Sequence, residues 1–223
     1  MTKLSKSTVF RIIQTLEKHR LLAFDSLSNR YSLGIKLFEF GGIIYSSLSL
    51  RKVAARFLDQ LAAANNHLAL LGVLDGSELV YIDKREGKDR IVVTSEIGRR
   101  RPPHYGMLGK ALMAFLPEDK VDELLSRYPL EKIASRSITD PEKFKNNLRQ
   151  VRRRGYSYEH NEVWDGAIGI GAPVRDYRGE VVAAVGTAFA AFGMDDRRIK
   201  EIISLVTKIG NEISAALGLT SGE

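Results

Sequence analysis

The chain of 223 residues contains no cysteine, and the first of its six prolines is Pro102. Without cysteine there is no disulfide scaffold, no zinc–thiolate site and no thiol nucleophile, and a reducing, cytoplasmic compartment is expected. Long apolar runs are also missing. The longest charge-free apolar stretch, residues 181–194, is shorter than the roughly 18 residues that a membrane span needs. The polar N-terminus lacks the apolar segment of a secretory signal. We therefore expect a soluble protein with no membrane partner.

The apolar fraction of 44% is large enough for a sizeable core in one or two domains, and it excludes disorder of the whole chain. The net charge of +7 is concentrated in two segments. Residues 1–31 carry six basic and two acidic side chains, residues 84–101 carry seven and three, and the rest of the chain is close to neutral. A basic segment is most often a solvated face. One at the end of a neutral protein favours a polyanionic partner such as nucleic acid.

The N-terminal segment has the pattern of a helix followed by a hairpin. Residues 5–20 predict an amphipathic helix with Ser5 as its N-cap and an apolar stripe of Val9, Ile12, Ile13 and Leu16. Two short apolar runs around a polar turn at 25–30 predict a β-hairpin. A polar-faced helix followed by a hairpin with a basic tip is typical of the second half of a winged helix-turn-helix. Residues 34–47 and 50–65 predict two further helices.

The remaining residues alternate hairpins with helices. Hairpins are predicted at 67–85 and 167–190, a third strand at 90–95, a loop at 98–106, and a further strand beginning at residue 155. Helices are predicted at 107–115, 118–128, 141–154 and 195–217. The predicted fold class is α+β, with a mostly antiparallel sheet flanked by helices.

The glycine-containing segments match no nucleotide-binding motif. Gly109 and Lys110 lack the rest of a phosphate loop, which indicates a tight helix start with close backbone approach. Gly169 and Gly171 do not have the dinucleotide-binding spacing, and Pro173 forbids the helix that such a motif opens. Their alternation on a predicted strand favours a face approached closely by a ligand or by a packed helix.

The polar residues predict neither catalysis nor metal binding. The four histidines have no metal-ligand spacing, and no serine lies in a nucleophile elbow. We therefore expect no metal, no cofactor and no enzymatic activity.

Short motifs follow one another in order along nearly the whole chain. They are LSKSTVFR at 4–11 with LE at 16–17, then residues 31–34, 37–41, 81–84, 98, 103–104, GKAL at 109–112, 114–117, 155–156, 162, 166, APV at 172–174 and 179–184. Together they resemble the IclR family of bacterial transcriptional regulators. The resemblance implies the C-terminal part of a winged helix-turn-helix at 1–33, a linker helix at 34–48 and a GAF-like effector-binding domain at 49–223. It also implies a homodimer or homotetramer acting at an operator.

The resemblance also implies a surface for double-stranded DNA. It assigns to the DNA-facing surface Ser5, Lys6, Ser7, Thr8 and Arg11 on the recognition helix and Asn29 and Arg30 on the wing. A helix N-terminus and a lysine suit phosphate, and an arginine can reach base edges.

The family places two helices before the recognition helix, whereas this sequence begins at that helix. Its apolar stripe would then lose most of its burial partners. Either the start is placed too late, or the chain is a remnant that senses without gripping DNA. Binding to operator DNA is expected if the DNA-binding domain is complete. The alternative is a DNA-independent small-molecule-binding module, or a partner of an intact paralogue.

The effector pocket is implied by the same resemblance. Backbone amides at Met107 and Leu108 would hold the carboxylate of a small organic effector, and Glu159 would be an acidic pocket residue. Two neighbouring strands would contribute Ala167, Gly169, Gly186 and Ala188, the last three standing where many relatives have cysteine or serine. We expect a roomier, less polar cavity that favours an aromatic or longer carboxylate over two- or three-carbon acids. The arginines at 99–101 either attract an anionic effector or form a solvated loop.

Overall fold

The computed structural model describes residues 4–88 and 96–219, which fall into two compact units, Met1–Leu50 and Arg51–Glu223. The strand predicted at 90–95 lies outside the described residues.

The first unit contains a helix and a hairpin, as predicted. Helix α1 spans Lys6–Lys18, and the Ser5 side chain caps it by accepting a hydrogen bond from the backbone amide of Thr8. Strands β1, Leu22–Asp25, and β2, Arg30–Leu33, pair in antiparallel register. None of the residues of α1 is buried. The amphipathic stripe of this helix is therefore formed but only partly covered by the described residues.

Helix α2 is continuous from Ile35 to Asn65. The prediction of two helices, at 34–47 and 50–65, is wrong. The residues between them, Leu48 and Ser49, include neither proline nor glycine, so nothing in the sequence ends a helix there. Near its C-terminal end the helix buries Ala54, Leu58 and Leu61 completely.

The second unit is built on a six-stranded sheet whose strand pairs are all antiparallel, in the order β5-β4-β3-β8-β7-β6. The strands are β3 Leu68–Asp75, β4 Glu78–Arg85, β5 Arg100–Arg101, β6 Ser157–His160, β7 Ala167–Arg175 and β8 Val181–Ala190. Both predicted hairpins are confirmed. The segment predicted as a loop at 98–106 contains the two-residue strand β5, because Arg100 and Arg101 pair with Val80 and Leu79.

The second unit has four further helices, which are α3 Gly106–Met113, α4 Glu118–Arg127, α5 Pro141–Arg154 and α6 Asp196–Ala216. Helices α3 and α6 cover the two faces of this sheet. A Cβ at Gly210 of α6 would lie 3.0 Å from Ala172 Cβ, so α6 packs on the face to which Ala172 points. A Cβ at the next residue, Gly171, would lie 2.8 Å from the Met107 carbonyl oxygen of α3. Because successive strand residues face opposite sides, α3 and α6 sandwich the sheet. The expected antiparallel sheet flanked by helices is confirmed.

Candidate functional site

Two glycines, Gly106 and Gly109, allow the backbone conformation and the close backbone packing at the start of helix α3. Gly106 has φ +68°, a conformation that glycine adopts without strain. A Cβ at Gly109 would lie 2.3 Å from the Pro103 carbonyl oxygen, so only glycine fits. This confirms that the Gly109-Lys110 pair marks a tight helix start. Lys110 is buried and forms an ion pair with Glu162.

A buried glutamate lies at this helix start. Glu159 on β6 is only 8% exposed and is paired across the ladder with Gly169 of β7. A Cβ at Gly169 would lie 2.5 Å from Glu159 Oε1, so the glycine leaves the space that the carboxyl group occupies. At Gly106, a Cβ would lie 3.5 Å from the same oxygen. Glu159 thus lies between the sheet and the N-terminus of α3.

The surroundings of Glu159 oppose its ionisation. Burial raises the pKa of its carboxyl to about 7, and the nearby charge of Glu162 acts in the same direction. Lys110 and a hydrogen bond from the backbone amide of Met107 partly offset that effect. Glu159 Oε2 is buried and finds no hydrogen-bond partner in the part of the chain that the structure describes. At neutral pH the carboxyl is therefore partly protonated, with one oxygen open to a further partner.

Two adjoining cavities open at the start of α3. The small cavity has a volume of about 60 Å³ and the large cavity one of about 320 Å³. They share six lining residues, which are Arg101, Tyr105, Gly106, Glu159, Glu162 and Val163. The small cavity extends toward Ala167 and Ala188, and the large cavity toward His104 and Phe144. Arg101 and Glu159 therefore lie at the junction of the two.

Four of the seven residues expected at the effector pocket line the small cavity, namely Met107, Glu159, Ala167 and Ala188. Leu108 is fully buried, and its Cδ2 would lie 3.0 Å from a Cβ at Gly186. The side chain of Leu108 therefore fills the space at Gly186, as the carboxyl of Glu159 fills the space at Gly169. Leu108, Gly169 and Gly186 are not in the lining of either cavity. Of the two alternating glycines, Gly171 has the packed helix α3 as its close neighbour, whereas the close neighbour of Gly169 is the side chain of Glu159.

The sequence does not single out Arg101 within the arginine cluster at 99–101. Its neighbour Arg100 pairs with Asp75 and Glu78 at the surface. Arg101 instead turns its guanidinium over the Tyr105 ring, 4.7 Å from the ring centroid. The Nε atom of Arg101 is buried and has no hydrogen-bond partner among residues 4–88 and 96–219. The arginine cluster was the available signal, but alternation along β5 decides which arginine points inward.

His104 and Tyr81 also line the cavities and were not predicted to do so. Burial raises the pKa of the Tyr81 phenol to about 12, so it stays neutral beside the small cavity. Burial lowers the pKa of His104, which lines the large cavity and is therefore neutral at pH 7. The motif Pro103-His104 supplied a position for the histidine but no indication of what it faces.

The expected DNA-facing residues lie on the surface of the first unit. Ser5, Lys6, Ser7, Arg11, Asn29 and Arg30 are exposed, and Thr8 is half-buried. The Ser5 hydroxyl lies 3.0 Å from that of Ser7 and 2.9 Å from that of Thr8. On the apolar side of α1, Ile12 is 44% exposed. The first turn of α1 thus presents a polar, basic surface, while its apolar stripe remains partly accessible.

The described residues contain neither a metal-binding cluster nor a membrane-spanning helix. No cluster of three or more histidine, aspartate or glutamate side chains there is arranged to hold a metal ion. No described helix is both long and apolar enough to cross a membrane.

Comparison with known proteins identifies the family. The protein family described as "Bacterial transcriptional regulator IclR C-terminal" matches residues 43–215 of this chain. The chain belongs to the IclR family of bacterial transcriptional regulators, as its motifs predict. The HTH-type transcriptional regulator XynR of Escherichia coli K12 is 32% identical over 215 residues, covering 96% of this chain and 85% of XynR.

Solved structures agree with this assignment. The IclR protein of Thermotoga maritima superposes with a TM-score of 0.73 at 29% identity, covering 96% of this chain and 87% of that one. An IclR homologue from Microbacterium hydrocarbonoxydans, complexed with 4-hydroxybenzoate, has a TM-score of 0.71 at 22% identity and covers 96% of this chain and 86% of its own. At that identity the likeness concerns the fold alone.

Proposed function

We propose that this chain is a DNA-binding regulator whose second unit binds a small organic carboxylate, and that the bound carboxylate changes its affinity for an operator. The observation that carries the proposal is the pair of joined cavities at the N-terminus of α3, where Arg101, Glu159 and the Met107 amide converge. The division into residues 1–33, 34–48 and 49–223, and assembly as a homodimer or homotetramer, belong to the same proposal.

The charges around the cavities favour an anionic ligand. Lys110 and Glu162 neutralise each other in an ion pair. Glu159 is half-protonated near neutral pH, because its pKa is raised to about 7. The buried Nε of Arg101 has no hydrogen-bond partner among the described residues, so this cation can donate to an anionic ligand. A helix N-terminus adds a partial positive charge at the same place. A carboxylate supplies the missing negative charge.

The cavity volumes favour a carboxylate larger than two or three carbons. Gly169 and Gly186 contribute no extra room, since Glu159 and Leu108 fill it. The space lies instead in the large cavity of about 320 Å³, beyond Arg101. Its wall includes the aromatic ring of Phe144. The 4-hydroxybenzoate found in the Microbacterium homologue is an aromatic carboxylate of suitable size for a first probe.

The first unit supplies the proposed DNA surface. Lys6 and Arg11 project from the exposed side of α1, whose N-terminus offers backbone amides to phosphate. Asn29 and Arg30 occupy the hairpin tip, with Asn29 at φ +54° in the turn. A basic helix beside a basic hairpin tip matches the backbone of duplex DNA in charge.

The experiment is a fluorescence-anisotropy titration of the chain into DNA from its gene's own promoter, across a salt series and with or without carboxylates. Thermal shift reports ligand binding separately. We expect affinity to fall with salt, and Lys6→Ala to reduce the salt slope by about one counterion. Lys208→Ala, an exposed charge on α6, is the matched control. A bound carboxylate should change operator affinity by roughly 5–150-fold.

Each outcome separates the two parts of the proposal. Ligand binding without a DNA complex would favour the small-molecule-binding module, or a partner of an intact paralogue. Thermal shifts from glyoxylate or pyruvate but from no aromatic acid would contradict the ligand class. DNA binding that no carboxylate alters would contradict the regulatory coupling.

A further inference from the structure

Strand β4 contains a β-bulge that lets it serve both faces of the sheet. Asp83 pairs with Leu71 of β3. Tyr81 pairs with the next residue of β3, Gly72, so Ile82 is the extra residue between the two pairs. Because successive residues of β3 point to opposite faces, Tyr81 and Asp83 do so as well. In a regular strand, two residues at this spacing would share a face.

Tyr81 points to the face that carries the cavities. It is 6% exposed, lines the small cavity and packs in one apolar cluster with Met107 and Leu108 of α3. The neighbouring strand β5 pairs with β4 through Arg101 and Leu79. Strands β4 and β5 therefore form the part of the cavity wall that carries Tyr81 and Arg101.

Asp83 points to the other face, where it binds helix α2. This carboxylate is buried, and its Oδ1 accepts hydrogen bonds from the Lys84 amide at 2.9 Å and from Arg85 Nη1 at 2.7 Å. Its Oδ2 lies 3.5 Å from Nε of Arg51 on α2. The Arg85 side chain also binds Asp59 of α2 through its Nε. One carboxylate thus joins β4 to α2 both directly and through Arg85.

This contact lies at the end of α2 that leads into the first unit. Arg51 is the first residue of the second unit, and α2 runs without a break from Ile35 past this point. At the other end of α2, Asn65 Nδ2 donates to Thr187 Oγ1 of β8 at 3.2 Å. The ion pairs of Asp83 are directional, and breaking them would leave a buried carboxylate without its partners, which is costly. A movement of β4 is therefore transmitted to α2 at this contact.

We infer that Asp83 is a positioning residue for the proposed regulation, because it ties α2 to the wall of the carboxylate cavities, so that ligand binding beside β4 displaces α2 where it enters the first unit. This inference rests on the proposed function. The bulge at Ile82 gives one short segment of β4 a residue at the cavity and a residue at the helix. Two distinct sites are coupled when both bias the same element, and α2 held by Asp83 is that element.

The test measures this coupling, which a residue that only stabilises the fold would leave unchanged. Asp83→Asn keeps the shape of the side chain and removes its charge. In the unmodified chain, 4-hydroxybenzoate, or heptanoate as an aliphatic probe, should change operator affinity in fluorescence anisotropy by roughly 5–150-fold. In Asp83→Asn that change should fall below about twofold. Its calorimetric affinity for the same carboxylate should stay within about threefold of that of the unmodified chain.

Hydrogen exchange gives a second readout that needs no DNA. In the unmodified chain, the bound carboxylate should change the exchange rates of the α2 amides at 51–58 by about threefold or more. In Asp83→Asn, the same ligand should leave those rates unchanged. This measurement follows the helix itself, whether or not the chain binds its operator.

Three variants control for lost stability and lost charge. Asp176→Asn removes a carboxylate of the β7–β8 hairpin that pairs with Arg178 and is 15% exposed, so it should reduce stability and keep full coupling. Arg51→Gln removes only the direct contact, at an exposed side chain, and covers the case in which Asp83→Asn does not fold. It should reduce the coupling by about two- to fivefold. Lys52→Gln removes the same charge at the next residue of α2 and should keep the coupling.

The outcomes separate the inference from the proposed function. Full coupling in folded Asp83→Asn, with the exchange response of α2 retained, would overturn the inference and leave a carboxylate-responsive regulator standing. An equal loss of coupling in Asp176→Asn would also overturn it, because lost stability would then be the cause. If Asp83→Asn does not fold, equal coupling in Arg51→Gln and Lys52→Gln would overturn it. Failure of both carboxylates to bind the unmodified chain would contradict the proposed function, and the inference with it.

Discussion

Helices α1 and α6 have the same kind of amphipathic pattern, but their apolar faces lie in different surroundings. Both are amphipathic, and both have a side-chain N-cap, Ser5 in α1 and Asp195 in α6. Helix α6 buries its apolar stripe, with Val206 and Ile213 fully inaccessible, whereas α1 buries no residue. An amphipathic pattern therefore identifies the apolar face of a helix. Burial of that face requires another layer of secondary structure that packs on it. The six-stranded sheet provides that layer for α6.

The largest expected contrast comes from shortening one isoleucine on each helix. Ile213→Ala should lower the free energy of unfolding by about 2–5 kcal/mol, because it leaves a cavity against the sheet. Ile12→Ala, at a position 44% exposed, should change it by less than about 0.5 kcal/mol. Urea unfolding followed by fluorescence of Trp164, the one tryptophan of the chain, measures the second unit. Similar losses from both variants would refute the contrast.

The next contrast is between the buried Glu159 of the second unit and the exposed Glu17 of α1, in their effect on the pH dependence of stability. The pKa of Glu159 rises from 4.5 to about 7 on folding, so between these values the folded chain holds a proton that the unfolded chain has released. The free energy of unfolding should therefore fall as pH rises from about 4.5 to about 7, by at most about 3 kcal/mol from this group, and then level off. Glu159→Gln should remove that fall. Stability measured at several pH values in both chains isolates the contribution of Glu159.

The matched control for this prediction is Glu17→Gln on α1, where the carboxyl is exposed. It should leave the pH profile of the second unit unchanged. The His104 pKa is lowered by burial, which gives an opposite slope at acidic pH, but that slope is common to all three chains. A profile of Glu159→Gln that coincides with that of the unmodified chain would contradict the buried, half-protonated state.

The smallest contrast comes from the two N-caps. Asp195 accepts a hydrogen bond from the Arg198 amide at 2.7 Å, and Ser5 accepts one from the Thr8 amide at 3.3 Å. Asp195→Ala should destabilise the second unit by about 1 kcal/mol. Ser5→Ala should reduce helix content by circular dichroism without changing the transition that Trp164 reports. A shift of that transition by Ser5→Ala would show that α1 stabilises the second unit.

Sequence patterns predicted most of the fold because local signals mark most of its elements. The hairpin turns have glycine at φ +62° and +83°, at Gly76 and Gly179, and the long helices carry clear apolar stripes. The prediction of two helices in place of the continuous helix α2 is wrong, since no proline or glycine separates the two predicted segments. Strand β5 has only two residues, and its pairing with β4 is a long-range contact that no local pattern encodes.

The candidate site was less accessible to prediction for the same reason. The sequence pattern of alternating glycines showed that something approaches the sheet, but only packing shows that Leu108 occupies the space at Gly186. The inward turn of Arg101 and the orientation of His104 depend on residues far away in sequence. The raised pKa of Glu159 follows from burial by α3, not from its neighbours along the chain. Such features are properties of the assembled unit.

A crystal structure of the full chain with its tightest-binding carboxylate tests the central claim most directly. The account predicts the ligand in the two joined cavities, with its carboxylate beside Arg101 and the start of α3 and the remainder toward His104. A ligand bound elsewhere, with these cavities closed by the protein's own side chains, would contradict it.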